Sequence, residues 1–423
     1  MRNDAGELFK RACINGTVKN EIIIYIPVEG SENPHQIRND EIVSDSMKLT
    51  QSICDDSDLR FGGCIASEFE IETTANIGDL KGRRIYVYLS QTAIMPTYPG
   101  EETYPTADGN EIIATYPGHT VYKGYGGNSI RVFTGYIFSC KLSKNRIIRK
   151  IVAYDDMYWK GNVDCAAWYR SLYTNAQKQG ETVTMNYLRT RIAAAMRLAD
   201  TETLPTDDLI AYEMDISNGT TYIELLRQIC ELNGCFAFIN GSGQLEYRTI
   251  KSSNYVDGVN NIFESYDHYK DVETEDFVKL QNQYNCLEIN GDSRFKGIAA
   301  IEPYEPSEEN PYVLSNDIYT TNRTPRNDLS SDFGVPTDTN SISYKIGQNI
   351  AAAKPYTPII LNADYRSWVE AGDRIRIPVY TIDANGTRNR EYIWSLVLSR
   401  TISGLPYLTD EITANGENTE YTD

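Results

Sequence analysis

Residues 61–75 read FGGCIASEFEIETTA. Two glycines open the stretch, and then its residues alternate. Ile65, Phe69 and Ile71 fall on one parity, and Glu68, Glu70 and Glu72 on the other. A period of two marks a half-buried strand. The apolar set then fills a core, at roughly 25 cal/mol per Å² buried. The same strand carries three acids in a row on its outer face.

Similar alternation recurs on both sides. EIIIYIPV (21–28), DEIVSDSMKLTQSI (40–53), DLKGRRIYVYLS (79–90), HTVYKGYGGNSIRVFTGYIFSC (119–140) and RIIRKIVAYDDMYW (146–159) read as strands or extended chain. Residues 1–36 form an N-terminal arm with a short helix at 5–13 and a strand. Residues 37–155 are all β, a small barrel or sandwich. A Pro- and Gly-rich loop at 96–119 interrupts them, with a small hairpin at ADGNE. Gly62 and Gly63 permit a tight turn into the 61–75 strand, and Asp155 and Asp156 cap or hydrogen-bond at the exit.

The pattern changes at 156–255. TMNYLRTRIAAAMRLA (184–199) and SNGTTYIELLRQICELNG (217–234) carry apolar residues at helical spacing. Ser217, Asn218 or a nearby threonine caps the second helix, and Gly234 stops it. The strands CFAFIN and GQLEYRTI follow, joined by a Gly-Ser-Gly turn, so this segment is α/β. A second β region spans 256–300 and 356–415, with Gly372 and Asp373 turning into its last strands. An insertion at 301–355 divides it, containing a helix at 341–353. Residues 416–423 are a polar tail. The fold class is mainly β with α+β insertions.

The 423 residues exceed one compact core and imply several domains. No apolar run approaches the roughly 18 residues a membrane helix needs. The first residues lack the apolar centre of a signal peptide, so the chain is expected to fold in a cytoplasm. Eight cysteines form no CxxC pair and read as free, buried thiols. The three histidines lie far apart, so no metal site is expected.

Catalytic signals are missing. GYGGNS (124–129) lacks the Lys-Ser/Thr of a phosphate loop. DDSD (55–58) lacks the closing Glu of a calcium loop and reads as a turn. No GxSxG elbow occurs. Carboxylates abound without one pair standing out. The expectation is a protein that is not an enzyme and binds no cofactor.

In combination, several phrases resemble one family. They are FGGCIASEFEIE (61–72), RIIRKIVAYDDMYW (146–159) with a nearby WY (168–169), TYIELLRQICELNGCFAFINGSGQLEYRTI (221–250), VEAGDRIRI (369–377) and LVLSRTISGLPYLTDEITANG (396–416). They resemble the hub proteins at the tip of bacteriophage tails and their relatives in contractile injection systems. The resemblance implies two small β-barrels and two α/β domains per chain. It implies a homotrimeric ring with pseudo-six-fold symmetry. Such a ring joins a hexameric tail-tube or distal-tail ring above and a three-fold spike or fibre below. It also implies contact with a tape measure protein, and genomic DNA passing through without specific binding. The expected location is the distal end of the virion tail, after assembly in the host cytoplasm. The chain ends soon after the second β region, so no cell-wall hydrolase or adhesin role is carried over.

The net charge is −19, and three chains would carry 3 × −19 = −57. A basic channel wall binds phosphate by releasing counterions, whereas an acidic one repels it. Glu68, Glu70 and Glu72 are therefore candidates for a channel-facing acidic surface. An ordinary solvated strand face is the plainer alternative. A monomeric glycan-binding module is the competing function, with Trp159, Trp168, Tyr98 and Tyr104 as stacking platforms.

Overall fold

The computed structural model describes residues 17–54, 62–97, 113–115, 121–126, 129–249, 269–274, 286–289, 292–296, 356–382, 386 and 388–417, with short interruptions at 29, 31–32, 145, 209–210, 212, 214–215 and 368. The chain is mainly β with few helices. The helices expected at 5–13 and 341–353, the hairpin at ADGNE and the DDSD turn lie outside the described residues.

The first β region contains β1 (Thr17–Ile26), β2 (His35–Arg38), β3 (Lys48–Ser52), β4 (Glu68–Thr73), β5 (Arg84–Thr97), β6 (Ile113–Thr115), β7 (Val121–Gly126), β8 (Ile130–Leu142) and β9 (Arg149–Tyr154). Antiparallel pairing runs β4-β9-β8-β5-β1-β2. The chain after β2 turns through Asn39–Glu41, and Ile42 then bridges Thr73 at the end of β4. Val43 N donates to Glu72 O at 2.9 Å, and Thr74 N donates to Glu41 O at 2.8 Å. β3 continues alongside β4. Residues 35–52 thus lie first on β1 and then on β4, and the hydrogen-bonded circuit returns to its start. Inside it pack Ile22, Ile24, Leu49, Phe69, Ile85 and Phe133, all within 2% of full burial. Phe69 stacks on Phe133 at 5.6 Å between ring centroids.

In β4 the alternation holds as expected for Phe69 and Ile71, which are fully buried. Ile65 departs from it. It precedes the strand and is half-buried, while Thr73 completes the inward set with no exposure. The Thr73 hydroxyl is tolerated inside because it donates to Glu41 O at 2.8 Å.

After β9 a π-helical turn (Met157–Gly161) leads to α1 (Ala166–Gln179), α2 (Met185–Ala195), α3 (Tyr222–Leu232) and the hairpin of β10 (Phe236–Ile239) with β11 (Leu245–Arg248). Thr184 caps α2, its hydroxyl accepting from Tyr187 N at 3.1 Å. Thr221 and Glu224 form a capping box on α3. Sequence reading missed α1. Its inward stripe is Ala166, Tyr169 and Ala176, small and aromatic residues rather than aliphatic ones. The spacing of three and seven, with Gly180 as the stop, was the available signal.

The second β region holds β12 (Tyr269–Thr274), the separate hairpin of β13 (Cys286–Ile289) and β14 (Asp292–Lys296), then β15 (Tyr356–Asp364), β16 (Arg374–Ile382), β17 (Arg388–Ser403) and β18 (Thr409–Glu417). Pairing runs β12-β15-β18-β17, with β16 also on β17. β18 runs two residues into the expected polar tail. The 16-residue β17 pairs with β16 along 388–396 and with β3 along 399–403. A register shift between Val397 and Ser399 separates these two duties. Through β17 the two β regions become one 14-stranded sheet.

Candidate functional site

The outward residues of β4 sit in cross-strand rows. One row reads Thr401, Thr50, Glu68, Tyr154, Tyr136, Arg84, taken from five successive strand pairings. The Tyr154 hydroxyl donates to Glu68 Oε1 at 2.8 Å. Burial and the adjacent Glu68 carboxylate push that hydroxyl up to about 12. In the next row Glu70 lies between Lys48 and Val152. In the third, Glu72 faces Lys150, which faces Lys141. Lys150 Nζ is 2.8 Å from Glu70 Oε2, and this bond raises the lysine above its ordinary range.

The structure therefore places Glu68, Glu70 and Glu72 together on the outer face, all half-buried. The face is of mixed charge rather than purely acidic, because strand register interleaves Lys48 and Lys150. Sequence reading followed β4 alone and missed these partners, which come from β3 and β9.

An aromatic cluster borders the acids. Tyr154 stacks on Tyr158 at 4.3 Å, and Phe138 meets both edge-on at 5.5 and 5.8 Å. Trp159 Nε1 donates to Tyr136 O at 3.2 Å. Trp168 packs edge-on to Tyr222 at 5.0 Å, in the α/β core. Tyr98 and Tyr104 lie outside the described residues.

The junction residues do more than turn the chain. Gly62 N donates to Cys235 O, and Ala237 N donates to Gly63 O, both at 2.9 Å. A Cβ on Gly63 would stand 1.9 Å from Ile53 O. The glycine pair is a close approach between the first β region and the α/β unit. Asp155 accepts from Ser67 N at 2.8 Å and Met157 N at 2.9 Å. Burial pushes its carboxyl up to about 7, against these hydrogen bonds. Asp156 pairs with Arg84 at 3.0 Å and Lys160 at 2.8 Å.

Gly372 and Asp373 meet the α/β unit through Arg248 of β11. Its guanidinium contacts Glu370 at 2.9 Å, Asp373 at 3.3 Å and Ala371 O at 2.7 Å. Burial would lower the Arg248 pKa, but Asp373 and Glu370 raise it overall. Among the described residues, no group of three or more His, Cys, Asp and Glu is arranged to hold a metal. Cys54, Cys64, Cys165, Cys230 and Cys235 form no disulfide and are buried as expected, whereas Cys140 forms none and is half-buried. No helix among the described residues is long and apolar enough to cross a membrane.

No family model matches the chain, and no curated protein does. Its structural neighbours are phage tail proteins and type VI secretion proteins. The tail protein from Neisseria meningitidis MC58 is similar to this chain at 10% identity and a TM-score of 0.48, with 95% of this chain and 97% of that one covered. The 43 kDa tail protein of prophage MuSo2 from Shewanella oneidensis is similar at 14% identity and a TM-score of 0.46, with 93% and 97% covered. An E. coli component of the type VI secretion system, described as structurally similar to T4 bacteriophage tail proteins, is similar at 8% identity and a TM-score of 0.38, with 94% and 78% covered.

Proposed function

We propose that this chain is a structural hub of a phage tail tip. Three copies form a ring at the distal end of the tail tube. The circuit from β4 through β9, β8, β5 and β1 back along residues 35–52 supports reading the first β region as a small barrel. β12, β15, β18, β17 and β16 supply the second. The observation that carries the reading is β17, which pairs into both regions and fixes them side by side in one sheet. Two such units per chain and three chains make six units, the count needed to meet a hexameric tube ring. The three-fold underside then suits a spike or fibre.

On this reading the Glu68, Glu70 and Glu72 face borders the channel. Lys48 and Lys150 neutralise part of it, so it offers phosphate neither a continuous cation row nor a strong repulsive wall. A tape measure protein and then genomic DNA pass without specific binding. Assembly takes place in the host cytoplasm, and the protein resides in the virion.

Electron-microscopy class averages of the purified chain, with its solution mass, test this. Rings of three-fold symmetry with a central hole and a mass three times 47.8 kDa are expected. Two-fold particles or rings with no hole would overturn it.

A further inference from the structure

Three thiols meet where the first β region joins the α/β unit. α3 ends in a left-handed turn at Gly234, with φ 61. Gly234 N donates to Glu231 O at 3.0 Å, and Cys235 N donates to Cys230 O at 2.9 Å. This pair of bonds is a Schellman cap, and the side chains at its two outer positions meet across the turn. Those positions are Cys230 and Cys235. The third thiol comes from the first β region. Gly62 packs on the last turns of α3, where an added Cβ would stand 2.9 Å from Arg227 O and 3.0 Å from Glu231 Cβ. Two residues on, Cys64 bridges Ala237 in parallel. The Cys230 thiol hydrogen-bonds with both Cys235 and Cys64.

All three cysteines are at most 1% exposed. A cap of this kind ordinarily closes over an apolar pair. Two thiols fill the same space and carry one reaction more, oxidation to a disulfide. The backbone suits it. A hydrogen bond of 2.9 Å from Cys235 N to Cys230 O leaves the two Cα atoms no more than about 6.8 Å apart, which a disulfide can span. Burial raises the Cys230 pKa well above its ordinary value, and the neighbouring thiols add to the rise. A thiol held protonated oxidises slowly and stays reduced in a reducing cytoplasm.

We propose that Cys230 and Cys235 are a buried redox latch, open as two thiols while the chain is made and closed as a disulfide after the particle leaves the host. The timing rests on the virion reading above, and the chemistry does not. A low-molecular-weight disulfide is the oxidant. One cysteine thiolate attacks it, forms a mixed disulfide and releases one small thiol. The second cysteine then attacks the protein sulfur of the mixed disulfide and releases the other. Two protein thiols and one small disulfide become one protein disulfide and two small thiols. The bond ties the end of α3 to the start of β10. Cys235 O and Ala237 N of that segment hold Gly62 and Gly63, so the latch tightens the junction as well as the turn.

The test treats the full chain, purified reduced, with oxidised glutathione. Remaining thiols are alkylated after unfolding and mapped by mass spectrometry. Cleavage at Arg227 and Arg248 releases residues 228–248, which hold both cysteines. This peptide should become lighter by two hydrogens and escape alkylation, faster as pH rises and the thiolate fraction grows. The melting temperature should rise by about 2 °C or more, and a dithiol reductant should reverse both changes. Cys64→Ala should leave the bond forming. Cys235→Ala should abolish the bond and the shift.

Alkylation of Cys230 and Cys235 after treatment, with the half-buried Cys140 carrying glutathione, would overturn the latch. So would a Cys64–Cys230 link joining two peptides, or a bond that leaves the melting temperature unchanged. The ring is read separately. A chain that closes the bond and forms no ring overturns the hub and keeps the redox chemistry, whereas rings without the bond overturn the latch and keep the hub.

Discussion

The two β regions keep their charges in different places. In the first, the closed circuit is filled with aliphatics and two stacked phenylalanines, Glu68, Glu70, Glu72, Lys48 and Lys150 stand on the outer face, and the buried Asp155 follows β9 at the exit. In the second, arginine goes inside. Arg400 on β17 is 2% exposed and pairs with Asp410 on β18, which is 1% exposed. Its guanidinium also donates to the backbone oxygens of Val369 and Arg366. Arg248 enters the same neighbourhood from the α/β unit. An apolar core stabilises by area and accepts many shapes. A buried guanidinium must find particular acceptors at particular angles, so it fixes how segments meet. The first region holds itself together, and the second is where separate segments are held in register.

The largest expected effect lies where the first region meets its neighbour. Gly63→Ala puts a methyl 1.9 Å from Ile53 O, which is a backbone atom and cannot rotate away. One of the two segments must shift, and Ala237 N would then lose its acceptor. A loss of about 4 kcal/mol or more is expected, of the size reserved for a broken special site. Thermal or denaturant melting measures it. A change under 1 kcal/mol would mean that the contact is looser than drawn.

The second prediction separates the two kinds of core. Arg400→Met alone leaves Asp410 buried without its cation, at about 3–5 kcal/mol. Burial already raises the Asp410 pKa, with Arg400 opposing it. Adding Asp410→Leu removes the orphaned charge and should recover most of the loss. In the first region Phe69→Leu should cost about 1–2 kcal/mol, for the lost stacking on Phe133 and the small cavity left behind. If the single Arg400 variant cost no more than Phe69→Leu, the contrast between the regions would fail.

The third concerns Asp155, which ties the start of β4 to the end of β9. Its folded pKa is raised from 3.8 to about 7. A raised acid binds its proton more tightly folded than unfolded. Its contribution is therefore fully present below about pH 3.8 and is lost as pH rises to about 7. Asp155→Asn lacks this slope. The stability gap between wild type and variant should narrow from about pH 4 to 7 and then stay level. A gap that widens with pH would mean that the carboxylate is stabilised in place.

Much of the fold was legible because local rules agreed with it. Phe69 and Ile71 alternate, and Thr221 with Glu224 caps a helix. What stayed hidden depended on partners far away in sequence. Ile65 continued the parity of β4, but the strand starts only at Glu68, where β3 and β9 begin to pair with it. Gly62 and Gly63 read as a turn because nothing in 61–75 shows Ile53 or Cys235 beside them. Arg400 read as one residue of a strand, although its acceptors come from 366, 369 and 410. The three acids were legible as a row, and their lysines were not.

The smallest expected effect tests what that row is for. Glu70 and Lys150 have side chains 27% and 49% exposed, so their pair contributes about 0.2–1 kcal/mol after solvent screening. Glu68→Gln keeps an acceptor for the Tyr154 hydroxyl. A chain with Glu68→Gln, Glu70→Gln and Glu72→Gln should therefore melt within about 3 kcal/mol of wild type, the sum of three such losses at most. In the ring its net charge rises by three per chain, from −19 to −16, and all of that change lies on the face proposed for the channel. Duplex DNA should be retained more strongly by the variant rings at low salt, and the difference should vanish at high salt. Unchanged stability with unchanged retention would place the acids on an ordinary solvated face. A large loss of stability would instead show that Glu68 and Glu70 hold the first sheet together, and that its charges are as structural as Arg400.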